Sequence, residues 1–355
     1  MAVTIGVDIG GTKVLAAEVL PDGTVGRVAR RSTPGRLVPV EVVEDALTDA
    51  VQEAADGRRI DAVGLAAAGF VDAAGERVMF APHLPWRLDP ARARLEARWG
   101  VPVALDNDAN CAARAEFSYG VARGHHDVVM VNLGTGIGGG IILGGTLMRG
   151  HNGMAGEFGH MRVVPDGHEC ECGRRGCWEQ YCSGNALVRE FRRLGGSTEL
   201  SGPRITAAAE SGDPVALAAF ATIGRWLGVG LADLTAAFDP ELLVVGGGVS
   251  AAGELLLGPA RQAFEESLVG AGHRDLPPLV KARFLNDAGV IGAADLARTE
   301  AVRPIFRRRR GELVKRARRR ERLRRFLAPL DGLDPLDTGA SATGARRRPR
   351  GRRAP

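Results

Sequence analysis

The first 32 residues contain three short stretches rich in Val and other strand-forming residues, at residues 3–7, 14–19 and 25–30, separated by turn residues. This pattern predicts three β-strands, with Gly10-Gly11 and Asp22-Gly23 as the turns between them. Consecutive strands joined by tight turns form an antiparallel meander. A meander argues against a doubly wound Rossmann domain, which opens with a strand, a helix and a strand.

After residue 32 the spacing of apolar residues changes. Between residues 39 and 55 apolar side chains recur every three or four positions, which predicts a helix. Continuous apolar runs predict buried strands at residues 62–67 and 101–105. The Ala-rich stretch after residues 106–110 is predicted to be a helix that one of the acids or amides there caps.

A second strand-turn-strand unit begins at residue 128. Its predicted strands are residues 128–133 and 141–143, joined by a glycine-rich turn through Gly140. Because this unit is an imperfect echo of residues 3–19, the sequence indicates two related domains that close over one nucleotide. The elements predicted after it are a mostly helical region at 207–237, a buried strand at 242–245 and a last helix at 288–300.

These elements predict an α/β fold in which two domains flank a cleft, as a length of 355 residues allows. We expect a small N-terminal domain at 1–109 that the helix near 288–300 completes. A large domain with a cysteine-rich loop is expected at 110–287. The remaining residues, 301–355, are expected to form a basic, disordered tail.

Charge is distributed unevenly along the chain. Residues 301–355 contain 19 Lys and Arg against 5 Asp and Glu, whereas the first 300 residues contain 28 against 37. The charge therefore indicates polyanion binding for the tail alone. The tail could contact polyphosphate, nucleic acid, an anionic surface or the acidic first 300 residues.

The N-terminus shows no basic leader followed by an apolar stretch, because the first strand begins at residue 3. No later window reaches the length of a membrane span in this interpretation, so we expect a cytoplasmic protein without one. A homo-oligomer, either a dimer or a tetramer, is expected on general grounds.

The first turn, Asp8-Ile9-Gly10-Gly11-Thr12-Lys13, could bind phosphate. Without side chains at the glycines, backbone N–H groups can approach a phosphate, and Asp8 could hold Mg²⁺ through water. A simple glycine-rich hairpin would explain the same residues. The segment is not a Walker A loop, because it lacks the Gly-Lys-Ser/Thr sequence.

The second turn contains a formal G-x-G-x-x-G at Gly134, Gly136 and Gly139. In a dinucleotide fold this fingerprint opens a helix, but here Ile141-Ile142-Leu143 follows and predicts a strand. We therefore expect a second phosphate-binding hairpin, with the Thr135 hydroxyl as a donor to the terminal phosphates.

The run Asp106-Asn107-Asp108 follows a predicted strand, where an acid can face a cleft. Phosphoryl transfer to a sugar hydroxyl needs a carboxylate that orients the hydroxyl and accepts its proton. Capping of the next helix is the common alternative for such an acid. Both roles can coexist if different residues fill them.

One histidine and three clustered cysteines, His160, Cys170, Cys172 and Cys177, predict a structural zinc site. An imidazole and three thiolates complete a tetrahedral set without an open position, so the metal should order the loop and orient its neighbours. Cys111 and Cys182 fall outside the cluster and are expected to be small buried residues.

The pairing of Glu157-Phe158-Gly159-His160 with Cys-x-Cys-Gly-x-x-Gly-Cys-x-Glu at 170–179 closely resembles the signature of the ROK (repressor, ORF, kinase) family. The two glycine turns and Asn107-Asp108 also resemble that family's phosphate, sugar and catalytic segments. Gly246, Gly247 and Gly248 resemble its adenosine-side loop. The resemblance covers residues 3–300, whereas the tail departs from it.

The resemblance implies an actin-like, two-domain ATPase fold and the transfer of the ATP γ-phosphoryl group to the 6-hydroxyl of glucose, with Mg²⁺ and zinc. Asp108 would be the base. The implied sugar-binding residues are Gly69, Asn107, Glu157, His160 and Glu179. The implied phosphate- and ATP-binding residues are Asp8, Gly10, Gly11, Thr12, Lys13, Gly134, Thr135, Gly136, Gly246, Gly247 and Gly248.

Other functions are compatible with the same residues. The sugar could be mannose or an N-acyl hexosamine, and the phosphoryl donor could be polyphosphate. A sugar-responsive transcriptional regulator of the same family is a further alternative, although a first strand at residue 3 leaves no room for a preceding helix-turn-helix.

Overall fold

The computed structural model describes residues 2–300 of the chain, and its first half is built on a five-stranded sheet. The strands of this half are β1 (Val3–Ile9), β2 (Lys13–Val19), β3 (Val25–Ser32), β4 (Ile60–Ala67), β5 (Phe70–Val71), β6 (Val78–Phe80), β7 (Arg87–Asp89) and β8 (Val103–Asn107). The large sheet has the order β3-β2-β1-β4-β8, and β5-β6-β7 form a small sheet. Strands β1 to β3 are the predicted antiparallel meander, and β4 and β8 join it in parallel.

The second half repeats this arrangement. Its strands are β9 (Val128–Leu133), β10 (Ile137–Leu143), β11 (Thr146–Leu147), β12 (Leu242–Gly246) and β13 (Leu279–Lys281). They follow the order β11-β10-β9-β12-β13, again three antiparallel strands and then two parallel ones. The predicted echo between the two units is therefore confirmed at the level of topology.

Helices cover the sheets and connect their parallel strands. They are α1 (Val40–Ala55), α2 (Ala91–Trp99), α3 (Asp108–Tyr119), α4 (Glu179–Cys182), α5 (Gly184–Arg193), α6 (Gly202–Glu210), α7 (Pro214–Phe238), α8 (Glu254–Ser267) and α9 (residues 288–300). In α1 the residues of the predicted apolar face, such as Val43, Leu47 and Val51, are buried in the core of the first sheet. Helical periodicity thus identified the packed face correctly.

Two glycines allow α9 to lie directly on the first sheet. A Cβ on Gly6 of β1 would lie 1.9 Å from the Val290 carbonyl oxygen, and one on Gly64 of β4 would lie 1.8 Å from that of Ala293. No side chain fits at these distances. The predicted last helix is confirmed, and it packs on the sheet that the N-terminal residues form.

Several boundaries differ from the prediction. The second glycine turn is shorter than expected, because β10 already begins at Ile137 and Gly138, Gly139 and Gly140 pair with β9. The helical region near 207–237 is two helices, since the Asp213 side chain accepts a hydrogen bond from Ala216 N–H and starts a new helix at Pro214. The small sheet β5-β6-β7 was not predicted.

One helix within the described residues, α7, has the length and mean hydropathy of a membrane span. This corrects the prediction that no window reaches that length. Its apolar side chains, including Phe220, Leu227 and Leu231, pack in the core with Leu256 and Phe264 of α8. A buried core helix passes the same test of length and composition, so packing inside the fold accounts for the composition of α7.

The predicted domain limits near residues 109 and 287 stay a prediction, because the described residues, 2–300, all belong to one compact unit. The two large sheets nevertheless lie on either side of the first limit, with α3 between them in the chain. The predicted disorder of the tail, 301–355, and its polyanion contacts lie outside the described residues.

Candidate active site and metal site

The first glycine turn joins β1 to β2. Gly10 N–H donates to the Lys13 carbonyl at 3.0 Å, and the Gly10 carbonyl accepts a hydrogen bond from the Thr33 hydroxyl at 2.8 Å. A Cβ on Gly11 would lie 2.8 Å from the His83 ring. The turn is therefore fixed from both sides, while Thr12 and Lys13 are exposed.

Three carboxylates with raised pKa values mark the centre of the site. Burial, and after it the Asp108 carboxylate, raises the pKa of Asp8 to about 7, while Lys13 acts in the opposite direction. Burial and the carboxylates of Asp108 and Glu179 raise the pKa of Glu157 to about 7. Burial also raises the pKa of Asp108. Acids that perturb one another in this way are typical of sites that handle protons or cations.

The run Asp106-Asn107-Asp108 divides its roles among its members. Asn107 is the N-cap of α3, because its Oδ1 accepts hydrogen bonds from Ala109 N–H at 2.8 Å and Asn110 N–H at 3.1 Å. The predicted cap is thus an amide, which leaves Asp108 free of that role. Asp108 Oδ1 accepts the local Ala109 N–H at 2.9 Å.

Gly69 and Asn107, both predicted to bind the sugar, are in contact. Asn107 Nδ2 donates to the Gly69 carbonyl at 3.0 Å, which uses one of its two N–H groups. Gly69 lies against β6, where a Cβ would be 2.5 Å from the Phe80 carbonyl oxygen. The backbone of Gly69 therefore fixes the orientation of the Asn107 amide beside Asp108.

The four predicted zinc ligands lie together. One donor atom from each of His160, Cys170, Cys172 and Cys177 lies within 4.8 Å of the others. Cys172 Sγ and Cys177 Sγ are 3.6 Å apart, and Cys170 Sγ is 3.7 Å from His160 Nδ1. Thiolates bound tetrahedrally to zinc are separated by about 3.8 Å, so this donor set fits the metal.

Glu179 connects the cysteine cluster to the second glycine turn. Its Oε1 lies 2.9 Å from Cys170 Sγ and 3.6 Å from His160 Nδ1. Its Oε2 faces Gly136, where a Cβ would lie 2.4 Å away. The preceding Trp178 is buried and donates from Nε1 to the Trp226 carbonyl at 2.8 Å, which attaches this segment to α7.

The second and third glycine turns are packed against each other. Gly134 N–H donates to the Gly136 carbonyl at 3.0 Å, and Thr135 is exposed. Gly247 has a φ of 79°, and a Cβ there would lie 2.4 Å from the Leu133 carbonyl oxygen. Because β10 follows directly at Ile137, the formal G-x-G-x-x-G does not open a helix, as predicted.

Within residues 2–300, no hydrogen bond joins the first glycine turn to the second or third. Asp8, at the start of the first turn, interacts electrostatically with Asp108 and Lys13. Glu179, which lies beside Gly136 of the second turn, interacts with Glu157. Cys111 and Cys182 are buried, as expected.

Sequence reasoning missed three residues that support the site. They are His83 beside Gly11, Gly289 beside Asp8, and Arg149, which is paired with Asp106. The only sequence signal for any of them was the position of Arg149 shortly before Glu157 in a glycine-rich loop.

Comparison with known proteins gives consistent matches. The sequence profile of the ROK family matches residues 4–300. A glucokinase of Streptomyces coelicolor is 45% identical over 314 residues, which cover 84% of this chain and 98% of that protein.

Solved structures match over the same region. A ROK family glucokinase from Streptomyces griseus, in complex with glucose and AMPPNP, is 46% identical with a TM-score of 0.78, covering 84% of this chain and 100% of that one. A ROK hexokinase from Thermus thermophilus is 34% identical with a TM-score of 0.68, covering 84% and 98%. These likenesses confirm the predicted actin-like α/β class, and the chain belongs to the ROK family.

Proposed function

We propose that this protein is a glucokinase that transfers the γ-phosphoryl group of ATP to the 6-hydroxyl of glucose. The observation that carries the proposal is the carboxylate cluster of Asp8, Asp108 and Glu157, together with glycine turns whose backbone can approach phosphates. The likeness to Streptomyces glucokinases supports both glucose and ATP as substrates.

Asp108 is the proposed base. It lies at the first position of α3 directly after the Asn107 cap, so its backbone position is fixed. Burial raises its pKa above the ordinary range, which makes the carboxylate a better acceptor for a hydroxyl proton. In the proposed reaction Asp108 takes the proton of the sugar 6-hydroxyl as the oxygen attacks the γ-phosphorus and ADP leaves.

Asp8 is the proposed residue for Mg²⁺, which supplies charge neutralisation of the phosphates when it is bound. The Asp8 carboxylate fits this role because burial and the charge of Asp108 raise its pKa to about 7. A bound divalent cation would offset this electrostatic cost of ionising Asp8. Backbone N–H groups of the turns at Gly10, Gly134 and Gly247 would bind phosphates and the adenosine side of ATP.

The proposed sugar ligands are Asn107, Gly69, Glu157, His160 and Glu179, as the ROK signature implies. The side-chain amide of Asn107 and the carboxylate of Glu157 would hold sugar hydroxyls beside Asp108. His160 directs Nδ1 towards Cys170 and Glu179, so Nε2 is the nitrogen that would contact the sugar. A zinc ion on the cysteine cluster would fix the His160 ring and thereby the sugar.

The test is a coupled assay of the wild-type protein with glucose, mannose and N-acetylated hexosamines, each with ATP and with polyphosphate. We expect the highest kcat/KM for glucose with ATP. A higher kcat/KM for another hexose would exclude glucose as the preferred substrate, although the protein would still be a sugar kinase. Turnover with polyphosphate but not with ATP would exclude ATP as the donor.

Cytoplasmic localisation and a dimer or tetramer remain proposals of the same kind. An ATP-dependent hexose kinase needs the ATP and the free sugar of the cytoplasm, which supports the first. Size-exclusion chromatography with light scattering tests the second, and a monomer at micromolar concentration would contradict it.

A further inference from the structure

Asp106 is a buried carboxylate immediately before the two residues that the proposed reaction uses. It belongs to β8 and is 2% exposed, although it lies one residue before Asn107 and two before Asp108. A carboxylate at this depth is costly unless it is paired and hydrogen-bonded. The partners of Asp106 therefore determine how the end of β8 is held.

Both oxygens of Asp106 are engaged. Oδ1 accepts hydrogen bonds from Asn107 N–H and from Asn110 Nδ2, each at 2.9 Å. Oδ2 accepts the Arg149 guanidinium, with Nε at 2.8 Å and Nη2 at 2.6 Å. One carboxylate thus connects the backbone of Asn107, the first turn of α3 and an arginine from a distant loop.

The loop that carries Arg149 has little freedom to shift. The Arg149 carbonyl accepts Ala155 N–H at 3.0 Å. A Cβ on Gly153 would lie 2.1 Å from the Val71 carbonyl oxygen, and one on Gly156 would lie 2.5 Å from that of Gly139. The loop therefore packs on the first half at Val71 and on β10 at Gly139, and it ends at Glu157.

We propose that Arg149 is a positioning residue that fixes the spacing between Asn107-Asp108 on one side of the sugar site and Glu157 on the other. Through Asp106 it holds the end of β8, and through its own loop it holds Glu157. In this role Arg149 acts through the Asp106 carboxylate and through its own loop, without touching the reacting groups. This inference rests on the proposed function, because only that function places Asn107-Asp108 and Glu157 on two sides of one sugar site.

An arginine suits this position better than a lysine would. The planar guanidinium presents two N–H groups to Oδ2 in a fixed geometry, whereas an ammonium group is a single point of charge on a flexible stem. Arg149→Lys should therefore keep the charge of the pair but lose part of its geometry.

The test compares the steady-state kinetics of Arg149→Met and Arg149→Lys with those of the wild type. We expect Arg149→Met to lower kcat/KM for the hexose about 100-fold, including a KM increase of about tenfold, while KM for ATP changes by less than about threefold. Arg149→Lys should fall between. Millimolar methylguanidinium should restore part of the activity of Arg149→Met, which a general loss of folding would not allow.

Arg114→Met is the matched control. Arg114 also pairs with an acid, with Nε 2.6 Å from Asp295 Oδ2, and its side chain is 21% exposed against 23% for Arg149. We expect Arg114→Met to lower the Tm and to keep the wild-type KM for the hexose. If Arg149→Met folds poorly, Asp106→Asn combined with Arg149→Met avoids an unpaired buried charge and should show the same KM increase.

A wild-type KM for the hexose in folded Arg149→Met, or in the double variant, would overturn the inference. The variants are assayed with whichever hexose the wild type phosphorylates. Absence of glucose turnover by the wild type would therefore contradict glucose as the substrate. The ratio of variant to wild-type KM separately tests whether the Arg149–Asp106 ion pair positions the sugar site.

Discussion

The two five-stranded sheets have the same strand topology, but they carry different side chains beside the turn that joins their first two strands, β1-β2 in one and β9-β10 in the other. In the first sheet Ile9 pairs with Val14 immediately before the turn, and in the second Leu133 pairs with Ile137. By this register Asn132 occupies the position that Asp8 occupies in the first sheet. An amide therefore replaces a carboxylate at equivalent places of the repeat.

We propose that this difference gives the two halves separate tasks. The first half contributes Asp8 and Asp108, whose charges suit a divalent cation and a proton in transfer. The second half contributes neutral donors at the turns of Gly134 and Gly247, which suit anionic phosphates. The shared topology gives each half a glycine turn between its first two strands, whereas the proposed chemistry depends on which side chain lies beside that turn.

Asp108→Asn should have the largest effect, because it removes the proton acceptor of the first half without changing its shape. We expect kcat to fall about 1,000-fold while the affinity for glucose stays within about threefold of wild type. Turnover assays and isothermal titration with glucose measure the two quantities. Unchanged kcat would exclude Asp108 as the base.

Asp8→Asn makes the first turn resemble the second and should lower kcat about 100-fold, with an increased requirement for Mg²⁺. A magnesium titration of the variant and the wild type measures the change. A wild-type Mg²⁺ dependence in the variant would exclude Asp8 as the residue that holds the cation.

The same variant should be more stable than the wild type in the absence of ligands. Because the folded pKa of Asp8 is raised to about 7, the folded state binds this proton more tightly than the unfolded chain, and stability falls as the pH rises from about 4 to about 7. At pH 8 we expect Asp8→Asn to gain on the order of 2 kcal/mol. Thermal melts at pH 5 and pH 8 should differ less for the variant.

Loss of the metal should affect the second half and spare the first. Cys172→Ser or chelation should raise the KM for glucose about tenfold, because a freed His160 ring no longer has a fixed orientation, with a smaller change in kcat. Metal analysis alongside the kinetics provides the control. A zinc-free protein with a wild-type KM would contradict the role of the cluster in sugar binding.

Asn132→Asp should have the smallest effect, since it adds a carboxylate to the half-buried position beside the second and third turns. Repulsion of the ATP phosphates should raise the KM for ATP about fivefold and leave that for glucose unchanged. Asn132→Ala, which adds no charge, is the matched control. Equal KM values for the two variants would mean that charge does not distinguish the halves.

The sequence predicted what depends on local spacing. The meander of β1 to β3, the repeat at β9 and β10 and the apolar face of α1 each follow from residues that are close in the chain. The zinc ligands were predicted from thiols within eight residues, and the structure brings them within 4.8 Å of one another.

Long-range pairs and very short elements could not be predicted in the same way. Asp106 and Arg149 are 43 residues apart, and nothing in either segment names the other as its partner. Strands β5, β6 and β7 have two or three residues each, too few for an alternating pattern. The close approach of Gly289 to Asp8 depends on how α9 packs on the sheet, which no local pattern encodes.

Phosphoryl transfer from ATP to the 6-hydroxyl of glucose with Asp108 as the base is tested most directly by identifying the product that the wild type and Asp108→Asn form from glucose and ATP. Phosphorus NMR with a parallel ADP assay gives the position of the phosphate and the stoichiometry. We expect glucose 6-phosphate and ADP in equal amounts from the wild type, and almost none from the variant. Phosphate on another hydroxyl, or ADP released without phosphorylated glucose, would contradict it.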